Sequence, residues 1–158
     1  MENRIDFSQL SLISKLSGET KKDTELLREM AEEAKRFLLS FHWCKAIQKG
    51  WFGWGVGGIA AVFLLEIDPA GADVDKLLWV VVGDLPPAYL VVDESPTPLD
   101  ALRTYLKLMQ EWIRAIRERK STEECIPVNR AATRESADAL ETRLNFLKQE
   151  FLATKAHD

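Results

Sequence analysis

Gly50-Trp-Phe-Gly-Trp-Gly-Val-Gly-Gly58, Ile59-Ala-Ala-Val-Phe-Leu-Leu-Glu-Ile67, Leu77-Leu-Trp-Val-Val-Val-Gly83 and Ala88-Tyr-Leu-Val-Val-Asp93 follow one another across the middle of the chain. After a glycine-rich lead-in come three apolar runs of strand length, rich in β-branched and aromatic residues and separated by Gly, Pro and Asp. The runs barely alternate between apolar and polar. A sheet with one wet face would alternate, so these strands are expected to be covered on both faces. The covers are the helices that flank the stretch in sequence.

Upstream, Leu26, Leu27, Met30, Ala31, Ala34, Phe37 and Leu38 recur at helical spacing, which predicts a helix over 23–40 with its charges on the solvated side. Phe41 to Lys49 then reads as a first strand leading into the glycines. Further strands are placed near 59–67, 77–83 and 88–93. Pro86 and Pro87 withhold amide donors and stop the pairing between the last two. Downstream, Thr97-Pro98-Leu99-Asp100 combines an N-cap, a proline at the first helical position and an early acid, a strong helix start. Leu99, Leu102, Leu106, Met109, Trp112 (or Ile113) and Ile116 mark its buried stripe to about Arg119. After a polar connector containing Pro127, Thr133 caps a second helix whose Ala137, Leu140, Leu144, Leu147 and Phe151 keep a 3-4 rhythm. The expected fold is α+β: an N-terminal helix, a four-stranded antiparallel sheet in chain order, and two C-terminal helices packed on it.

Residues 1–22 are expected to form an N-terminal arm, either docked on the domain or ordering on contact with a partner. Phe7, Leu10, Ile13 and Leu16 recur every three residues, with Asp6 as cap and Gly18 as stop, which fits one short helix. Residues 23–158 read as a single domain, long enough for a core without metal or disulfide staples.

Composition narrows the function. Hydrophobic and charged contents of 46% and 29% are ordinary globular values. The apolar run Val56 to Leu65 is far too short to span a membrane, and the N-terminus lacks a secretion-signal pattern. Cys44 and Cys125 form no CxxC pair and read as reduced thiols of a cytoplasmic protein. The formal charge of −4 is unevenly spread. Between Gly50 and Leu102 eight acids face one base, Lys76, a local balance of −7. Acidic loops repel nucleic acid and steer a basic partner.

Catalytic and metal patterns are weak. The aspartates of Asp68-Pro-Ala-Gly-Ala-Asp-Val-Asp75 lack the order of a calcium loop, and the glycines have neither GxGxxG before a helix nor GK[ST]. His42 and Cys44 would share a face on a strand, but no orienting acid is near, and His157 is the only other histidine. No metal and no cofactor is expected. Asp84, on the Gly83-Asp-Leu-Pro-Pro87 turn, is the acid to look for in a ligand pocket; its other role is to hold the turn. Trp51, Phe52 and Trp54, set among five glycines, are the most unusual local feature. They either finish the core, anchor a partner or line a small-molecule pocket.

The phrase Leu78-Trp-Val-Val-Val-Gly-Asp-Leu-Pro-Pro-Ala-Tyr-Leu-Val91, followed by Pro96-Thr-Pro-Leu-Asp-Ala-Leu102, Ile126-Pro-Val-Asn129 and the closing helix, resembles a family of small uncharacterised bacterial proteins. The resemblance covers about residues 37–152. It implies a bacterial, cytoplasmic origin and brings no functional residue with it. The layout is also similar to that of toxin-neutralising immunity proteins, by architecture alone. The favoured expectation is a non-enzymatic protein that binds a basic partner, such as a toxin. Trp51, Phe52 and Trp54 would be its anchors, and Asp73 and Asp75 its steering charges. The alternative is a small-molecule-binding or enzymatic domain with a pocket between helix and sheet.

Overall fold

The computed structural model describes residues 5–71, 75–93 and 95–156. Among them, three helices flank an antiparallel sheet of five strands whose spatial order is the chain order. The strands are β1 (Ser11–Leu12), β2 (Cys44–Val56), β3 (Ala60–Pro69), β4 (Leu77–Gly83) and β5 (Ala88–Val91); the helices are α1 (Lys21–Leu39), α2 (Pro98–Arg117) and α3 (Arg134–Ala156). The expected α+β architecture and antiparallel meander are present. The strand count is five because the arm contributes one.

β3 and β4 are covered on both faces, and their register sorts the core into two halves. Val62 pairs with Val81 and Leu64 with Trp79, all facing α2. Phe63 pairs with Val80 and Leu65 with Leu78, all facing α1. The near-continuous apolar runs are thus two alternating apolar sets, one per helical layer.

The N-cap expected at Thr97 is realised: it accepts the Asp100 N–H at 3.1 Å, whereas α1 starts two residues earlier than expected, capped by Thr20, which accepts the Asp23 N–H at 3.0 Å. α2 lies on the sheet, whereas α3 stacks chiefly on α2 and meets the sheet at its turn end, where Arg143 pairs with Asp84. Arg117 of α2 holds Asp138 and Glu141 of α3, each at 2.8 Å. Two buried polar bonds fix the far side. Trp79 Nε1 donates to the Ser95 carbonyl at 2.7 Å, and the Tyr105 hydroxyl donates to that of Pro86 at 2.6 Å. Burial pushes the Tyr105 phenol well above its ordinary pKa.

Two expectations change. The first strand begins at Cys44, since residues 41–43 form the turn that follows α1. The glycine-rich stretch does not follow a strand; it is the second half of β2, paired with β3 through one register shift between Phe52 and Trp54, two more lying in the first half. A Cβ at Gly53 would run into the Pro98 ring, so the missing side chain lets the start of α2 approach the sheet. Gly83 has φ +145°, and a Cβ there would strike the Ile59 carbonyl.

The arm is docked but is not one helix. Two short 3-10 turns, Phe7–Gln9 and Ile13–Lys15, flank β1, which pairs Ser11 with Phe52 and Leu12 with Trp51. The Phe7–Leu10 and Ile13–Leu16 intervals each span a 3-10 turn, whereas the Leu10–Ile13 interval crosses β1. Asp6 caps the first turn as expected, and Leu16 is buried against α1.

Candidate functional site

The proposed anchors do not form one surface. Trp54 is only 9% exposed and belongs to the core on the α2 side. Trp51 is half-buried on the same side, with Phe7 of the arm edge-on at 5.2 Å and the Lys49 ammonium 5.3 Å from its ring centre. Phe52 points to the other layer and packs on Phe63 at 5.8 Å. The alternation of a strand separates side chains that the sequence sets side by side. Asp75 is exposed on the β3–β4 loop, and Asp73 lies outside the described residues.

Asp84 is well exposed. Its carboxylate pairs with Arg143 at 3.4 Å, while its backbone N–H holds the Ile59 carbonyl at 2.9 Å. It borders an open depression of about 470 Å³ whose lining mixes Glu29, Glu33 and Arg36 with Leu26 and Met30. Cys44 and His42 are not paired: His42 is exposed on the turn, and Cys44 is buried at the start of β2. Burial raises the Cys44 pKa, opposite to what a nucleophilic thiol needs. Among the described residues no group of three or more His, Cys, Asp or Glu side chains could hold a metal ion. Nor is any helix among them long and apolar enough to cross a membrane.

A larger and more apolar concavity lies elsewhere, along the edge of β5. It is a groove of about 620 Å³. One end of α1 and the turn after it supply Phe37 and Phe41; β5 supplies Tyr89 and Val91; Leu108 of α2 and the connector residues Ile126 and Val128 form the opposite wall. Tyr89 and Val91 pair with Val80 and Leu78 of β4, which puts them on the α1 face, yet α1 does not reach far enough to bury them. They remain 37% and 49% exposed. Tyr89 also joins an aromatic cluster, 5.4 Å from Phe41 and 5.1 Å from Trp43, with Phe41 and Trp43 stacked at 5.0 Å.

Glu124 is the one charged residue among those that line the groove; Asn129 and the partly exposed Cys125 add the few polar atoms. Such a lining suits an apolar occupant oriented by a small number of polar contacts. The sequence hinted at the groove only through the exposed alternate positions of Ala88-Tyr-Leu-Val91 and the apolar residues of a connector read as polar. No family model, no curated protein and no solved structure matches the chain.

Proposed function

We propose that this is a non-enzymatic binding protein that holds part of a protein partner in the groove beside β5. The observation that carries the reading is the exposure of Tyr89 and Val91 on the wall of a preformed apolar groove. Exposed aromatic and aliphatic side chains gathered in a concavity are what a partner's anchors bury against. The acidic balance of the sheet segment, −7 over residues 50–102, favours a basic partner and fast encounter with it. Neutralisation of a toxin in the bacterial cytoplasm is the finer form of this reading, and it rests on the layout of helix, antiparallel sheet and terminal helices by analogy alone. The anchoring role passes from Trp51, Phe52 and Trp54 to the groove, and Asp75 keeps its steering role.

A second reading has one observation in its favour. The volume of 620 Å³ lies within the range of about 300–1,000 Å³ usual for small-molecule pockets. Affinity capture from the native cells separates the two, using the wild type, Ile126→Glu and Trp51→Ala. The protein-partner reading expects a partner retained by Trp51→Ala and lost from Ile126→Glu, with both variants folded by circular dichroism. A partner captured equally by Ile126→Glu would remove the groove from the function. An apolar compound extracted from the purified wild type, and missing from Ile126→Glu, would move the assignment to the second reading.

A further inference from the structure

The two edges of the sheet are built differently. The outer side of β2 before the arm joins it, residues 44–50, carries exposed Lys45 and Lys49, and its pairing with β3 shifts register twice there. Lysines and bulges are the usual means of keeping an edge strand from pairing with another chain. β5 has neither. Its sequence Ala88-Tyr-Leu-Val91 is uncharged, and its pairing with β4 runs without a register shift. β5 is the last strand of the sheet, so alternate N–H and C=O groups along it point away from β4. The connector does not take them up. It closes on itself, Cys125 N–H to the Thr122 carbonyl at 3.0 Å, and among the described residues makes no backbone hydrogen bond to β5.

Resting on the reading of the groove as a binding site, we propose that β5 receives an extended apolar segment of the protein partner as a sixth strand, with a basic residue of that segment meeting Glu124. The free main-chain groups of β5 would supply affinity without regard to sequence, and the groove walls would select the side chains. On the sheet's α1 face, one set of alternate side chains would lie beside Tyr89 and Val91; the other would meet Leu108, Ile126 and Val128. Glu124, as the lone charge on the lining, makes a cation the complementary group. A second copy of the chain fits less well. The wall formed by the connector stands opposite β5, and an isologous β5–β5 pairing would bring two such walls to the same edge.

The probe is a blocked hexapeptide of alternating valine and threonine with a lysine added at one end. Binding is read by fluorescence anisotropy and by protection of the Cys125 thiol from a maleimide, Cys44 being buried. Two further peptides carry N-methyl groups on alternate amides, one for each edge of the extended chain. Strand addition expects one methylated set to weaken binding about tenfold or more and the other to bind like the parent. Equal behaviour of the two sets, whether both bind or both fail, overturns the strand addition. A hydrophobic dye that protects Cys125 while no peptide does overturns it as well, and leaves the groove as a binding site. Protection by neither dye nor peptide overturns the groove reading along with it.

Two variants complete the test. Val91→Lys, at a position 49% exposed, should keep the fold and weaken the peptide about tenfold. Glu124→Gln should weaken the lysine-bearing peptide about threefold at low salt and leave a lysine-free peptide unchanged. Equal effects on both peptides would refute the role given to Glu124. A free protein that sediments as a dimer, and becomes monomeric in Val91→Lys, would give the edge to a second copy and overturn the proposal.

Discussion

The Asp23 carboxylate accepts the Gly57 backbone N–H at 2.7 Å, tying the first turn of α1 to the tip of the β2–β3 hairpin across 34 residues of sequence. Its other oxygen accepts the Glu19 N–H at 2.9 Å, so one side chain orders the end of the arm, the helix start and the hairpin together. Asp23→Ala leaves the Gly57 amide without its acceptor and should cost about 1.5–3 kcal/mol, the range for a hydrogen bond to a charged group. Gly57→Ala drives a methyl against the same carboxylate and should cost about 1–3 kcal/mol. The two losses share one contact, so the double variant in urea denaturation should fall short of their sum.

The tryptophans of the glycine-rich strand should behave unequally. Trp54→Ala empties a core position and should cost about 3–5 kcal/mol. Trp51→Ala removes a half-buried ring that holds Phe7, and should cost about 1–2 kcal/mol. Its sharper effect is on the arm: limited proteolysis should cut within residues 5–16 in Trp51→Ala while the remainder resists.

The bridge between α2 and α3 should be sensitive to acid. The Arg117 guanidinium donates to Glu141 and holds its carboxyl below the usual glutamate range. A carboxyl with a depressed folded pKa contributes its full stability above the unfolded value, about 4.3, and loses it as pH falls through the lower folded one. Thermal melts of the wild type should therefore drop more steeply between about pH 5 and pH 3 than those of Glu141→Gln. Parallel slopes would show that this pair adds nothing to the acid response.

The two thiols should separate by environment. Cys125 lines the groove and is partly exposed, whereas Cys44 is buried with its pKa raised by that burial. A maleimide should consume one thiol per chain in native buffer and both in denaturant, with mass spectrometry placing the first adduct on Cys125.

What the sequence disclosed follows from how locally each signal is written. The capped starts of α2 and α3, the apolar stripe of α1 and the apolar runs of β3 and β4 are contiguous, and each is specified by residues within a few turns or one strand. The second half of β2 is different. Glycine disfavours a strand on its own account, and Gly53, Gly55 and Gly57 are strand or turn residues because Pro98, Leu27 with Ala61, and Asp23 crowd against them. Apart from Ala61, across the hairpin, those neighbours are remote in sequence. The arm misled for a related reason, since a period of three serves a short helix and a pair of 3-10 turns alike. The groove was the least legible feature. Phe37, Tyr89, Leu108 and Ile126 come from four separate segments, and each looks like an ordinary core residue until the fold leaves it uncovered. The candidate residues gathered around Trp51 were adjacent in the chain, and a strand turns adjacency into opposite faces.

The meander also sets an order of events in time. β2 to β5 pair only with sequence neighbours through short connections, so their loops close at small entropic cost and the hairpins should form early. β1 is the exception, because Ser11 must find Phe52 after α1 has been laid down between them. The arm should therefore zip on last. In stopped-flow refolding, Trp51→Ala should speed unfolding and barely change the folding rate, the signature of a contact absent from the transition state. Until that final step the Trp51–Phe52 edge of β2 stays bare. Nascent chains would then expose this edge as well as that of β5, and crowded refolding should favour mispairing through the glycine-rich strand.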